Sequence, residues 1–330
     1  MSGTYDVAGI GNAIVDVLAP VSEDFLLTHN VAKGVMTLID EFRARQLYDA
    51  FGPVNEVAGG SAANTMAGLA SLGGKGVFIG KVKDDRLGQT FAESLKQLGV
   101  HFSTGMAIDG PPTACCLIAV TDDGQRSMNT YLGASREISP DDVDENAVAA
   151  SRVLYIEGYL WDQPQAKAAI ERAIGAAQRA RRRVALTLSD PFCVGRYREE
   201  FLALLNSRVD VLFANEDEAR ALFEVETFDD VLQAVHRWPG IAALTRSEKG
   251  CVVANKHDVH VLDAYPVARV LDTTGAGDQF AAGFLYGLTR NKHLADCGRL
   301  GALAAAEVIS HFGARPEVSL KTLAAEAGLG

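Results

Sequence analysis

In Asp272-Thr-Thr-Gly-Ala-Gly-Asp-Gln-Phe-Ala-Ala-Gly-Phe-Leu-Tyr-Gly-Leu-Thr-Arg290 a glycine turn runs straight into a helical pattern. Gly275 and Gly277 let the backbone turn tightly and approach a ligand. From Asp278 onward Phe280, Phe284, Leu285 and Leu288 fall on one helical stripe. The unpaired N–H groups and positive dipole end of that helix therefore face the glycine turn, which is the arrangement of an anion site. Asp278 has two readings. As an N-cap it would accept the first free N–H groups. As a carboxylate beside an anion site it could take the proton of a hydroxyl attacking a phosphoryl group. Acidic residues at both ends of the loop, Asp272 and Asp278, exceed what a cap requires and favour the second reading.

Outward from this stretch, helical and strand patterns alternate. Residues 61–72, 86–98, 165–182 and 196–206 read as helices, and 77–80, 153–157, 184–189 and 211–214 as strands. Such alternation implies a doubly wound α/β domain: a mostly parallel sheet with helices on both faces. Two β-rich stretches, 31–39 and 113–132, break the rhythm, the second with a hairpin turn at Asp122-Asp-Gly-Gln125, and they predict a separate small β-sheet. The strand that opens the chain, from Tyr5, runs into a Gly9-x-Gly11 turn. A dinucleotide fingerprint fails there, because a third glycine is missing and Ile14-Val-Asp-Val-Leu18 continues as strand. Asn12 and Asp16 are then polar groups in apolar company, suited either to binding hydroxyls or to a turn and a solvent-facing position.

The 330 residues suffice for one large domain and a smaller appendage, and 48% hydrophobic with 22% charged residues is globular composition. No apolar run approaches a membrane span and no signal peptide pattern opens the chain, so a cytoplasmic location is expected, with no membrane partner. A net charge of −11 argues against a nucleic-acid partner, while leaving room for a nucleotide held by backbone N–H groups and a metal ion. Cys115, Cys116, Cys193, Cys251 and Cys297 lack metal spacing and read as buried thiols of a reducing compartment. His257 and His260 flank Asp258 in a turn between strands and lack further ligands. The basic run Arg179–Arg183 reads as a solvated helix end. There is no internal repeat.

Two further stretches carry chemistry. Ala58-Gly-Gly-Ser-Ala-Ala-Asn-Thr65 places Gly59 and Gly60 before a helix whose first turn bears Ser61 and Asn64, either a plain glycine loop with a Ser cap or a ligand loop. With Asn12 and Asp16 it offers converging donors and acceptors for a polyhydroxylated ligand. Asn215-Glu-Asp-Glu218 follows a strand and opens a helix, where carboxylates suit the dipole and could also hold water around Mg²⁺.

Together these stretches resemble the ribokinase-like (PfkB) carbohydrate and nucleoside kinase family over nearly the whole chain, Asp272-Thr-Thr-Gly-Ala-Gly-Asp278 matching its C-terminal signature. The resemblance implies that Asp278 is the catalytic base and that Gly275, Ala276, Gly277 and Asp278 form the anion hole. It implies that Asn215 and Glu218 manage Mg²⁺ and phosphate through water, and that Thr245-Arg-Ser-Glu-Lys-Gly250 is the nucleotide loop, with Ser247 where the family has a glycine. Within the family the chain looks most like adenosine kinases, through Gly59-Gly-Ser-Ala-Ala-Asn-Thr65, Tyr155-Ile-Glu-Gly-Tyr159, Leu188-Ser-Asp-Pro-Phe192 and Phe213-Ala-Asn-Glu-Asp-Glu218. By that likeness Asp16 and Asn64 bind ribose hydroxyls, and Arg126 or Arg136 reaches the phosphates. The expected base-stacking aromatic is shifted, with Leu160 between Tyr159 and Trp161. Some family members hold K⁺ on backbone carbonyls, here those of Asp272, Thr274 and Gly313.

The resemblance thus implies ATP with Mg²⁺ phosphorylating a nucleoside 5′-hydroxyl, adenosine to AMP foremost, in a monomer or homodimer. Residues 1–11, 58–103 and 137–330 would form the catalytic domain. Residues 12–57 and 104–136 would form a β lid hinged at Gly59-Gly60, closing to exclude water. A sugar kinase of the same family, a nicotinamide oxidoreductase and a silent nucleoside-binding module are the rival readings.

Overall fold

The computed structural model describes residues 4–330. In chain order the strands are β1 (Tyr5–Ile10), β2 (Ile14–Pro20), β3 (Met36–Leu38), β4 (Asn55–Gly59), β5 (Gly76–Ile79), β6 (His101–Phe102), β7 (Ala114–Val120), β8 (Arg126–Tyr131), β9 (Ser151–Glu157), β10 (Arg183–Thr187), β11 (Val211–Asn215), β12 (Ile241–Thr245), β13 (Cys251–Ala254) and β14 (Val259–Leu262). Nine of them form one sheet in the order β14-β13-β12-β11-β10-β9-β1-β5-β6, parallel from β12 to β6 and antiparallel at the β12-β13-β14 edge. β1 lies inside the sheet, between β5 and β9, so the strand order reverses there, where open α/β sheets leave a crevice at the strands' carboxyl ends. Runs such as Val153-Leu-Tyr-Ile156 are buried on both faces, which is why they are apolar without alternation.

The other five strands form a second sheet, β3-β8-β7-β2-β4. Here β2 alternates buried and part-exposed residues, whereas β7 in the middle of the sheet is buried along nearly its whole length. Val15, Val17, Ala19, Leu117 and Ala119 are buried with Leu26, Ala44 and Leu47 of the helices Glu23–Thr28 and Glu41–Ala50. The opposite face carries Asp16. The register places Val57, Asp16, Cys116, Thr130 and Leu38 in one row across the sheet. Leu18, Ile118, Met128 and Met36 make the next row, because directly paired residues share a face. The β-rich stretch read over 31–39 is strand only at Met36–Leu38, whereas the hairpin forms as expected, with β7 and β8 joined through Gly124.

The chain passes between the sheets at two places near the crevice: Gly11-Asn-Ala13 links β1 to β2, and Gly60 links β4 to the helix Ser61–Ser71. Gly60 sits at φ +91°, and a Cβ there would lie 2.2 Å from the Asn12 carbonyl oxygen. We expect Gly60→Ala to destabilise the protein by more than about 1 kcal/mol, read as a lower urea midpoint; an unchanged midpoint would show that this crossing has slack.

Several helix limits move by a few residues. The helix read at 196–206 starts earlier, at Pro191, behind the N-cap Asp190, with non-helical torsions at Tyr197 separating its two halves. All five cysteines are buried and free. No helix among the described residues is long and apolar enough to cross a membrane.

Candidate active site

The helix expected from Asp278 begins two residues sooner, at Ala276, and its N-cap is Gly275 in the left-handed conformation (φ +79°). A Cβ on Gly275 would meet Ala314 Cα at 2.6 Å, so glycine alone fits this corner. Asp278 is therefore not the cap but the third residue of the first turn. Its side chain faces a different helix: Ser61 Oγ donates to Oδ1 at 2.6 Å and Asn64 Nδ2 to Oδ2 at 3.2 Å. The N–H groups of Gly275, Gly277 and Asp278 meet no acceptor among the described residues, while that of Ala276 turns back to the Thr273 carbonyl at 3.2 Å. Three free N–H groups at a helix start form the cradle, one fewer than the four-residue reading supposed.

Burial pushes the Asp278 carboxyl up to about 7, against the two hydrogen bonds that favour its anion; the nearby Glu157 and Asp16 charges push the same way. A carboxyl raised toward neutral pH can take up a proton there, which suits a general base. Asp16 is also pushed up, to about 6, by burial, opposed by the cations Arg315 and Arg126. Gly59 makes room for it, since a Cβ at that position would lie 2.5 Å from Asp16 Oδ2. No hydrogen bond from a described residue reaches the Asp16 carboxylate.

Asn12 is buried and donates through Nδ2 to Glu157 Oε1 at 2.7 Å, while Ala62 N–H donates to Glu157 Oε2 at 3.0 Å. Glu157, at the end of β9, thereby ties both crossings to the large sheet. Burial raises its carboxyl above the ordinary range. Its signal was present in the sequence: a lone acid ending an apolar strand.

Asp272 accepts from Thr274 N–H (2.9 Å) and Gly313 N–H (3.0 Å) and is ion-paired with Arg126 of β8, so the small sheet is latched to the glycine loop. Asp272 carboxyl is held below its ordinary range by these hydrogen bonds and the Arg126 charge, although burial opposes them. Of the two arginines considered, the structure brings Arg126 to this cluster and not Arg136. Arg136 is exposed on a 3-10 turn, with its guanidinium against the Gln163 side-chain amide. Its sequence position near the hairpin was misleading because the chain leaves the small sheet at Leu132.

At the far end of the strand edge, Asn215 and Glu218 form a reciprocal capping box: Asn215 Oδ1 accepts from Glu218 N–H at 2.8 Å, and Glu218 accepts from Asn215 N–H at 3.0 Å and Nδ2 at 2.7 Å. Burial pushes Glu218 up to about 7. Thr245 pairs in register with Asn215. Ser247 adopts φ +52°, the conformation glycine would take without strain, and Gly250 ends the turn.

A glycine cradle with a raised carboxylate thus lies beside a second sheet carrying another carboxylate, an arrangement suited to phosphoryl transfer, and the chain is a phosphotransferase acting on a hydroxyl group. The chain belongs to the pfkB family of carbohydrate kinases, whose family model matches residues 40–321. It is 51% identical to the adenosine kinase from Sinorhizobium meliloti, over 98% of this chain and 99% of that one, with a TM-score of 0.90. A probable sugar kinase protein from Rhizobium etli CFN 42 is 47% identical, with 99% and 100% coverage and a TM-score of 0.91. The adenosine kinase of Saccharomyces cerevisiae is 28% identical over 94% of this chain and 96% of its own. The 5-dehydro-2-deoxygluconokinase of Geobacillus kaustophilus is likewise 28% identical, over 76% and 78%. The protein is therefore an ATP-using sugar or nucleoside kinase.

Proposed function

We propose that the chain is an adenosine kinase, transferring the γ-phosphoryl group of ATP to the 5′-hydroxyl of adenosine. One observation carries the choice of a nucleoside: the face of the small sheet that bears Asp16 also bears Leu18, Ile118, Met36, Met128 and Leu38, with Met36 49% and Leu38 60% exposed. A carboxylate suited to ribose hydroxyls next to an apolar row that is exposed at its Met36 and Leu38 end matches a ligand that is polar at one end and flat and apolar at the other. The 51% identity to an adenosine kinase supports the same choice.

On this reading Asp16 and Asn64 hold the ribose, with Asn12, Gly59, Gly60 and Ser61 shaping the turn around it. Asp278 accepts the 5′-hydroxyl proton as the oxygen attacks phosphorus. The N–H groups of Gly275, Gly277 and Asp278 stabilise charge on the transferred group. Arg126 supplies positive charge from the small sheet. The segments 12–57 and 104–136 act as the lid, although the small sheet itself runs on to Gly59 and ends at Tyr131; residues 1–3 of the larger unit lie outside the described range. Thr245, Ser247 and Gly250 line the nucleotide side.

Both Glu218 oxygens are engaged by Asn215, so a Mg²⁺ ion would be held there through its water shell, supplying charge neutralisation at the phosphates. The carbonyls of Asp272, Thr274 and Gly313 accept no hydrogen bond among the described residues and are the donors that a K⁺ would use.

The test is ADP release across a panel of adenosine, other nucleosides, ribose, fructose and 5-dehydro-2-deoxygluconate. Adenosine should exceed free ribose in kcat/KM by on the order of 10²-fold or more, because the sugar leaves the apolar wall uncovered. Turnover confined to free sugars would assign the chain to a sugar kinase instead.

A further inference from the structure

Arg315 lies in the loop that follows the helix Leu294–Val308, two residues after Gly313. Its Nε donates to Asn64 Oδ1 at 3.1 Å and its Nη1 to Ser94 Oγ at 3.1 Å. Arginine has no acceptor atom, so the amide oxygen of Asn64 must face it, which leaves Nδ2 aimed at Asp278. The loop is itself pinned: Gln279, the residue after the base, donates through Nε2 to both the Asn64 carbonyl (3.0 Å) and the Ala314 carbonyl (2.9 Å). Arg315, Asn64 and Asp278 are thus one connected unit spanning a loop and two helices. Arg315 Nη2 is withdrawn from solvent without a partner, an arrangement that packing alone would not favour.

The groups facing Asp278 from the surrounding elements are Asp16 of β2, Glu157 and Tyr155 of β9, Ser61 and Asn64 of the helix Ser61–Ser71, and Arg315. Two of these are like charges. Arg315 is a cation within electrostatic reach of both Asp16 and Asp278.

We propose that Arg315 is the positioning residue of the base, holding the Asn64 amide so that its Nδ2 faces Asp278. Its charge is opposite in sign to those of Asp16 and Glu157, which face the same base. The inference rests on Asp278 being the base.

The test compares Arg315→Gln, which removes the charge, with Arg315→Lys, which keeps it. In the kcat/KM profile against pH, the acid limb should move up by about one pH unit in the glutamine variant and stay in place for lysine. A carboxyl ¹³C titration of Asp278, identified by its absence in Asp278→Asn, should show the same upward shift independently of turnover. A limb and a titration both unmoved in Arg315→Gln would overturn the proposal and leave Arg315 a structural residue. If the glutamine variant does not fold, Ser94→Ala carries the test: loosening the guanidinium while keeping its charge should lower kcat several-fold with the acid limb unmoved, and wild-type kcat overturns the proposal. Failure of the underlying base reading looks different, because Asp278→Asn would then itself retain turnover and its acid limb.

Discussion

Asp278→Asn should lower kcat by about 10³-fold, within the range that a positioned general base contributes, while adenosine binding measured by calorimetry stays nearly intact. The amide keeps the size of the carboxyl and can still bond Ser61 or Asn64, so the site's shape survives. What disappears is the acceptor for the hydroxyl proton. Turnover within a few-fold of wild type would remove Asp278 from the role of base. The same variant should be more stable than wild type, because the folded protein holds this carboxyl's proton up to about pH 7, well above the ordinary carboxylate range. The stability that the raised group contributes is complete below pH 4 and is lost as the pH rises through 7; above that a desolvated anion remains. Asparagine carries no such cost, so its Tm advantage should widen between pH 5 and pH 8. An advantage constant with pH would show that burial is not what perturbs Asp278.

The sheet and the cradle were legible in the sequence because each depends on local pattern. Apolar runs at β9, β10 and β11, separated by amphipathic helices, suffice to call for a parallel sheet, and Gly275 with Gly277 marks a turn by the absence of side chains. The position of Asp278 was legible as a carboxylate near a helix start, but not its partners. Those come from residues more than two hundred positions away, Ser61 and Asn64, through the packing of two helices against each other. Arg315 was invisible for the same reason, since nothing in Gly313-Ala-Arg-Pro316 announces a contact with Asn64 or Ser94. The choice between Arg126 and Arg136 needed the strand register: Arg126 shares a face with Met128 and Thr130, whereas Arg136 lies beyond the strand end on an exposed turn. Periodicity settles which face a residue takes within an element. It is silent on where the chain turns away from the sheet.

Asp16→Ala should cost about 2 to 4 kcal/mol in kcat/KM for adenosine, the price of leaving substrate hydroxyls without a desolvated charged partner. The carboxylate is half-buried on the face of the small sheet away from its helices, has no hydrogen bond from a described residue, and fits against Gly59 only because that position lacks a Cβ. A core-packing residue would show the reverse features. Two consequences separate the binding role from a general loss of structure. Wild-type enzyme should discriminate sharply between adenosine and its 2′- or 3′-deoxy analogues, and Asp16→Ala should not, since the partner those hydroxyls lose is already gone. The pH profile should move as well. Asp16 is one of the like charges that raise Asp278, so its removal should bring the acid limb of the residual activity to lower pH, opposite in sign to the shift expected for Arg315→Gln. An unchanged kcat/KM, or an acid limb displaced upward, would remove Asp16 from the hydroxyl site and return the small sheet's open face to a surface without a ligand.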